Sequence, residues 1–268
     1  MGWEMAAAPK SLDEVRVRID AVDDELLRLL DERAGLARAV AEAKRAASVG
    51  QPPSFGLRPA RETQVIRRLL SRPHPGASPS LIVRLWREVM GESLKSQGPF
   101  SVTVFGGRDP SRMADLARMR FGAAPSLTMV DSPEAAIAAA KTLGGVGVLP
   151  LDGLAPWARL LAEPSLRAFA ILPCLSAWGS PTALAVAAVE VEPSGADQTL
   201  WITDAALPAD RIVVALGKLG LAASLLADGG GLRLFALPGY VQADDARLKD
   251  APGRLTGVIG AAPTPFDL

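Results

Sequence analysis

A single unbroken helical pattern constrains this chain more than any other feature. From Ser11 to Ala47, apolar residues recur at three- and four-residue steps, at Val15, Ile19, Val22, Leu26, Leu29, Leu36 and Val40. Ser11-Leu12-Asp13-Glu14 opens the run as a capping box, in which serine and glutamate satisfy each other's backbone N–H groups. Such a helix spans on the order of 50 Å, longer than a compact globule ordinarily uses. It needs a partner along its length, which predicts a helical bundle or an intertwined dimer. Gly50-Gln51-Pro52-Pro53 ends the pattern.

Pro59 fits the first turn of a second helix running to about Arg72. Pro73, Pro75 and Gly76 break the chain again, and Ser78-Pro79 has the N-cap and first-turn chemistry of a third helix reaching about Gln97. After Gly98-Pro99 the texture changes. Ser101–Phe105 is a β-type run followed by Gly106-Gly107 and a helical stretch, Pro110–Phe121. Leu127–Val130 reads as a strand, Ser132–Lys141 as a helix and Val146–Leu151 as a strand, a small α/β layer structure. From about Ala196 the order is strand (Thr199–Thr203), helix (Ala209–Leu219), two strands around Gly229-Gly230-Gly231, a short helix and strand Thr256–Gly260. That β-α-β-β-α-β order is ferredoxin-like.

With 268 residues there is room for one large domain or two to three small ones. Apolar residues make up 49% and the formal net charge is zero, which suits a globular protein and supplies no whole-chain field for nucleic acid. Arg and Lys nevertheless crowd the first hundred residues, so an anionic ligand should bind there. Cys174 and His74 are each alone, which excludes an intramolecular disulfide and argues against zinc sites and Ser/His or Cys/His catalysis. Met1–Lys10 lacks a basic n-region and an apolar h-region, and no apolar run reaches the roughly 18 residues of a membrane span. A cytoplasmic protein without membrane or nucleic-acid partners is expected.

The candidate chemistry lies where polar residues interrupt apolar stripes. Arg33 sits between Leu29 and Leu36 on the first helix. Lys44, eleven residues on, returns to within roughly 20° of the same face. In the third helix Ser93 and Gln97 extend a stripe of Ile82, Trp86 and Val89, and in the second Glu62 heads Val65, Ile66 and Leu69. Taken singly, each cation can snorkel with its stem buried and its head in water. Several together point to a small polyanion, because uncompensated charge is costly inside. Arg16 lies about 100° around the helix from Arg33, so it is a surface residue or serves a neighbouring subunit.

Leu12–Asp20, Leu26–Arg33, Lys44, Arg61-Glu62 and Glu92–Gln97 together resemble the all-helical AroQ-type chorismate mutases over residues 11–97. The resemblance implies an intertwined homodimer of all-α three-helix domains that converts chorismate to prephenate and needs no cofactor or metal. The reaction is a unimolecular Claisen rearrangement, so the site must hold the compact conformer and stabilise charge developing on the ether oxygen. By resemblance Arg33 and the partner subunit's Arg16 clamp carboxylates. Lys44 and Gln97 donate to the ether oxygen, Glu62 accepts from the ring hydroxyl, Ser93 assists at the ring carboxylate and Arg61 supports the anionic environment. Arg58 departs from the family, many of whose members carry an acidic residue there. It can pair with Glu62 or add to carboxylate binding.

Mutase domains of this type often precede a prephenate dehydratase domain and an ACT domain, and the remainder resembles a shortened version of that arrangement. The implied domains are 1–98, mutase; 99–195, a truncated dehydratase-like α/β lobe; and 196–268, ACT-like. Val104–Gly107 and Gly145–Asp152 are similar to dehydratase strands, but Gly153 and Leu154 stand where the family has Asn and Ser. Ser180-Pro181-Thr182-Ala183-Leu184 lacks the Arg and Phe of the family's Thr-Arg-Phe motif. No group remains to assist a leaving hydroxyl, so an inactive lobe is expected. Gly257–Gly260 matches the closing ACT strand, which leaves an aromatic amino-acid effector open. Gly106-Gly107-Arg108 lacks the spacing and Lys-Ser/Thr of a phosphate loop. Two other readings remain: an isochorismate-pyruvate lyase on the same scaffold, kept open by Arg58, and a non-catalytic ACT-type ligand sensor.

Overall fold

In the computed structural model, residues 11–47 and 55–267 are described. The chain divides into two compact units, Met1–Pro52 and Pro53–Leu268. The first contains helix α1, Leu12–Ala47, 36 residues long. The capping box forms: Ser11 N–H donates to Glu14 Oε2 at 2.8 Å, and Glu14 N–H donates to Ser11 Oγ at 3.3 Å. Leu26, Leu27, Leu29, Leu30, Leu36 and Val40 are all exposed along it. The Gly50–Pro53 break lies outside the described residues.

The second unit begins with α2 (Pro59–Leu70) and α3 (Pro79–Lys95), each with proline in its first turn. Ser78 caps α3 by accepting from Leu81 N–H at 3.2 Å. Strands β1 (Ser101–Phe105), β2 (Ser126–Val130) and β3 (Gly145–Pro150) are parallel and joined by α4 (Pro110–Phe121) and α5 (Pro133–Ala140). Asp109 and Ser132 cap those helices by accepting from the N–H groups of Arg112 and Ala135. Two strands absent from the sequence prediction follow, β4 (Arg167–Leu172) and β5 (Ala183–Ala187). Then come β6 (Asp197–Thr203), α6 (Ala209–Lys218), β7 (Ser224–Gly229), β8 (Leu232–Pro238) and β9 (Thr256–Pro263).

The nine strands of the described residues form one sheet, ordered β2-β1-β3-β5-β4-β9-β6-β8-β7. Within the last four, the order β9-β6-β8-β7 closes the ferredoxin-like arrangement, but its expected second helix is only a 3-10 turn, Ala246–Asp250. Side chains alternate between two cores, as the strand period of two requires. Leu149, Ile171, Leu184 and Val186 face one cluster, and Val146, Val148, Phe169 and Leu172 face the other. The two halves of the sheet meet where Ala168 of β4 pairs with Gly260 of β9. Gly260 has φ +152° and its missing Cβ is the space that the Ala168 carbonyl occupies.

Helices α2 and α3 belong to this unit. Ile66, Leu70, Ile82, Val83 and Met90 pack with Leu175 and Phe266. Arg67 of α2 donates to the Ser194 and Ala196 carbonyls and to Ser194 Oγ, at 3.2, 2.6 and 3.0 Å. Trp178 Nε1 donates to Ser80 Oγ at 3.0 Å.

Candidate functional site

Glu62 occupies the first turn of α2 and meets two arginines that the stripes did not point to. Its Oε2 lies 2.9 Å from Arg87 Nη1 of α3 and 2.9 Å from Arg120 Nη2 of α4. The arginine side chains are 4% and 5% exposed and that of Glu62 is 15% exposed, so this is an interior ion cluster. Two cations share one carboxylate oxygen, and Glu62 Oε1 accepts no hydrogen bond among the described residues. Arg87 Nε is also buried without a hydrogen-bond partner among the described residues. Beside the cluster is a cavity of about 10 Å³, lined in part by Thr63, Arg87, Arg120, Cys174 and Phe266. Burial, and then the neighbouring Arg87, push the Arg120 guanidinium down to about 10; Glu62 and Cys174 oppose that shift. Arg120 is held against two rings, its Cζ 4.8 Å from the Phe121 centroid and 5.8 Å from that of Phe169.

Both arginines lie on apolar faces at helical spacing. The buried face of α3 runs Val83, Arg87, Met90, Leu94, with Arg87 where an apolar residue is due, whereas Trp86, Val89 and Ser93 form its half-buried flank and half-buried Gln97 follows just past the helix end. On α4 the face is Met113, Ala117, Arg120, Phe121. Counting the α3 stripe from Val83 rather than Ile82 exposes the first, and the same count from Met113 exposes the second.

Ser93 of α3 donates to the Val89 carbonyl at 2.7 Å, and Gln97 Nε2, in the turn just past that helix, donates to the Ser93 carbonyl at 2.8 Å. Gln97 Oε1 would lie 3.1 Å from a Cβ on Gly56, so the backbone before α2 runs close to it. Arg61 is exposed. Arg58 does not pair with Glu62. Its Nη2 lies 2.9 Å from Glu192 Oε2, because at the N-cap of α2 its side chain reaches the segment after β5, while Glu62 turns inward to α3 and α4. On α1, Arg16 makes an exposed contact with Asp13 at 3.5 Å. Burial lowers the Arg33 guanidinium from its ordinary value. The Lys44 side chain lies outside the described residues.

In the α/β part of the second unit, Asp152 follows β3. Its Oδ1 accepts from Leu154 N–H at 3.0 Å and its Oδ2 is buried without a hydrogen bond among the described residues. Thr182 Oγ1 is turned back to the Ser180 carbonyl at 2.9 Å. Among the described residues no three His, Cys, Asp or Glu side chains group as metal ligands, and no helix is long and apolar enough to cross a membrane.

Residues 15–98 match the model of the family described as Chorismate mutase type II. The chain is 36% identical over 101 residues to the bifunctional chorismate mutase/prephenate dehydratase of Neisseria gonorrhoeae, an alignment covering 36% of this chain and 26% of that protein. It is 33% identical over 127 residues to the protein so named in Pseudomonas aeruginosa, covering 47% of this chain and 33% of the other. The chain thus spans about a quarter to a third of the length of these curated relatives. Among solved structures, prephenate dehydratase from Streptococcus mutans aligns over 62% of this chain and 100% of that one, at 12% identity and a TM-score of 0.38.

Proposed function

We propose that this chain is a chorismate mutase acting in aromatic amino-acid biosynthesis, with its active region in residues 1–98. The observation that carries this reading is the family match at residues 15–98, the stretch that holds Arg16, Arg33, Lys44, Arg61, Glu62, Ser93 and Gln97 in order. Chorismate carries two carboxylates, and its rearrangement proceeds through a single cyclic transition state in which the ether C–O bond breaks as the new C–C bond forms. No group must be added or removed, so catalysis consists of holding the compact conformer and stabilising charge as it moves onto the ether oxygen. Arg33 and the partner subunit's Arg16 take the carboxylates through their guanidinium forks. Lys44 and Gln97 donate to the ether oxygen, and those bonds strengthen as it becomes negative. Glu62 Oε1 is the acceptor for the ring hydroxyl, with Ser93 at the ring carboxylate. The exposed apolar residues of α1 support a homodimer in which Arg16 completes the other protomer's site.

Residues 99–195 form, in this reading, a dehydratase-like lobe without activity, and 196–268 an ACT-like unit. Support comes from Gly153 and Leu154 at the strand end and from Thr182, whose hydroxyl is engaged by Ser180. One assay tests the whole reading. Purified full chain is incubated with chorismate, isochorismate and prephenate, and the products are identified. Prephenate from chorismate is expected, with kcat about a thousandfold lower in Lys44→Ala, the scale of losing one donor to a developing oxyanion. No phenylpyruvate should form from prephenate. Pyruvate and salicylate from isochorismate without prephenate from chorismate would sink the proposal, and phenylpyruvate from prephenate would restore the second activity.

A further inference from the structure

We propose that Arg120 is a positioning residue for the mutase site, so that helix α4 of the α/β lobe orients Glu62 for the ring hydroxyl. The inference rests on the mutase reading above. Arg120 lies outside the matched residues 15–98, yet it contacts the carboxylate that reading assigns to the substrate.

The geometry favours orientation over simple neutralisation. Burying one arginine calls for one carboxylate, and Arg87 already supplies a partner for Glu62 from within the matched region. Arg120 adds a second buried cation to the same oxygen, an arrangement that costs desolvation without balancing charge. It does restrict where that oxygen can be. Guanidinium groups from two different helices converge on Oε2, while Oε1 accepts no hydrogen bond among the described residues and is left open to a further donor. The Arg120 guanidinium packs against the Phe121 ring and, on β4, the Phe169 ring, which touch each other edge to face, so the restraint is passed from the sheet side of the lobe. The spacing between α3 and α4 is equally constrained, because a Cβ on Gly91 would collide with the Phe121 carbonyl oxygen. A carboxylate held this way loses little rotamer freedom when it accepts the ring hydroxyl, and misplacement of such a contact is costly to rate.

The test uses the full chain with chorismate as substrate and thermal unfolding recorded in parallel. Arg120→Met leaves a balanced Arg87–Glu62 pair and keeps an apolar stem against the two rings, so it is expected to fold. Its kcat/KM should fall about tenfold to a hundredfold, with Arg120→Lys intermediate, because a lysine keeps the charge but not the fork. In a Glu62→Gln background, Arg120→Met should cost nothing further, since the group it positions is gone. Parent-like kcat/KM in a folded Arg120→Met or Arg120→Lys overturns the proposal, as do losses from Arg120→Met and Glu62→Gln that simply multiply. If Arg120→Met unfolds below the assay temperature, Arg120→Lys alone decides by the same criterion. A parent chain that leaves chorismate unchanged removes the mutase reading and this inference together, whereas an active parent with an indifferent Arg120 removes only the inference.

Discussion

Two guanidinium groups and one carboxylate leave a net positive charge in the interior, and that imbalance sets how each of the three residues responds to replacement. Taking away Glu62 strands both cations. Glu62→Gln is expected to lower unfolding free energy by about 3–5 kcal/mol in urea titration, the scale for breaking a buried pair. Arg120→Met goes the other way electrostatically, leaving a matched pair, and should destabilise far less. The pH dependence follows from the lowered guanidinium of Arg120, at about 10 when folded and higher in the unfolded chain. The unfolded chain holds that proton more tightly, so the charge is a constant cost below about 10, relieved only as pH climbs above that value. The stability difference between parent and Arg120→Met should therefore be flat from about pH 6 to 9. At this scale Glu62 was legible as a polar residue heading a stripe, but its partners were not. An arginine in a hydrophobic face reads as snorkelling until the two helices that enclose it are known.

Among the elements, the helices announced themselves through their ends. Ser11, Ser78, Asp109 and Ser132 all accept from the first turn of the helix they precede. Strands β4 and β5 did not. Arg167-Ala-Phe-Ala-Ile-Leu172 and Ala183-Leu-Ala-Val-Ala187 are rich in alanine and leucine, and both are buried on two faces, so neither shows the alternation that marks a half-buried strand. The 3-10 turn at Ala246–Asp250 stands where the sequence predicts a short helix, and its five residues are too few for a second full turn of α-helix. The α3–α4 contact makes a further prediction. Gly91→Ala places a methyl group against the Phe121 carbonyl and must push the helices apart, at an expected cost of about 1–3 kcal/mol measured by denaturant unfolding. If α3 and α4 are free to separate, the variant will instead gain the helix propensity of alanine and unfold later than the parent.

For the molecule as a whole, the change of texture at Gly98-Pro99 was visible in sequence, but the packing of α2 and α3 on the α/β body was not. Those helices share a compact unit with the sheet because Arg67, Ser80, Ile66 and Val83 find partners on segments more than ninety residues away. Such pairings leave no periodic trace. The 36 residues of α1 present the opposite case: a pattern legible throughout, whose partner is predicted to be a second copy of the chain. Replacing Leu26 and Leu29, both exposed, with glutamate should convert a dimer to a monomer in analytical ultracentrifugation and abolish mutase turnover. A parent chain that sediments as a monomer at micromolar concentration would remove the dimer.

The pairing of Ala168 with Gly260 has a consequence for how the two sheet halves can behave. Where domains are tied by a flexible linker, one can swing while the other stays still. Here the ferredoxin-like end is stitched edge to edge into its neighbour, at a point where only glycine leaves room for the facing carbonyl. That seam has no hinge. A molecule settling on the far end of the sheet can reach the near end only by altering twist or register strand by strand, and both halves are bound to melt as one body.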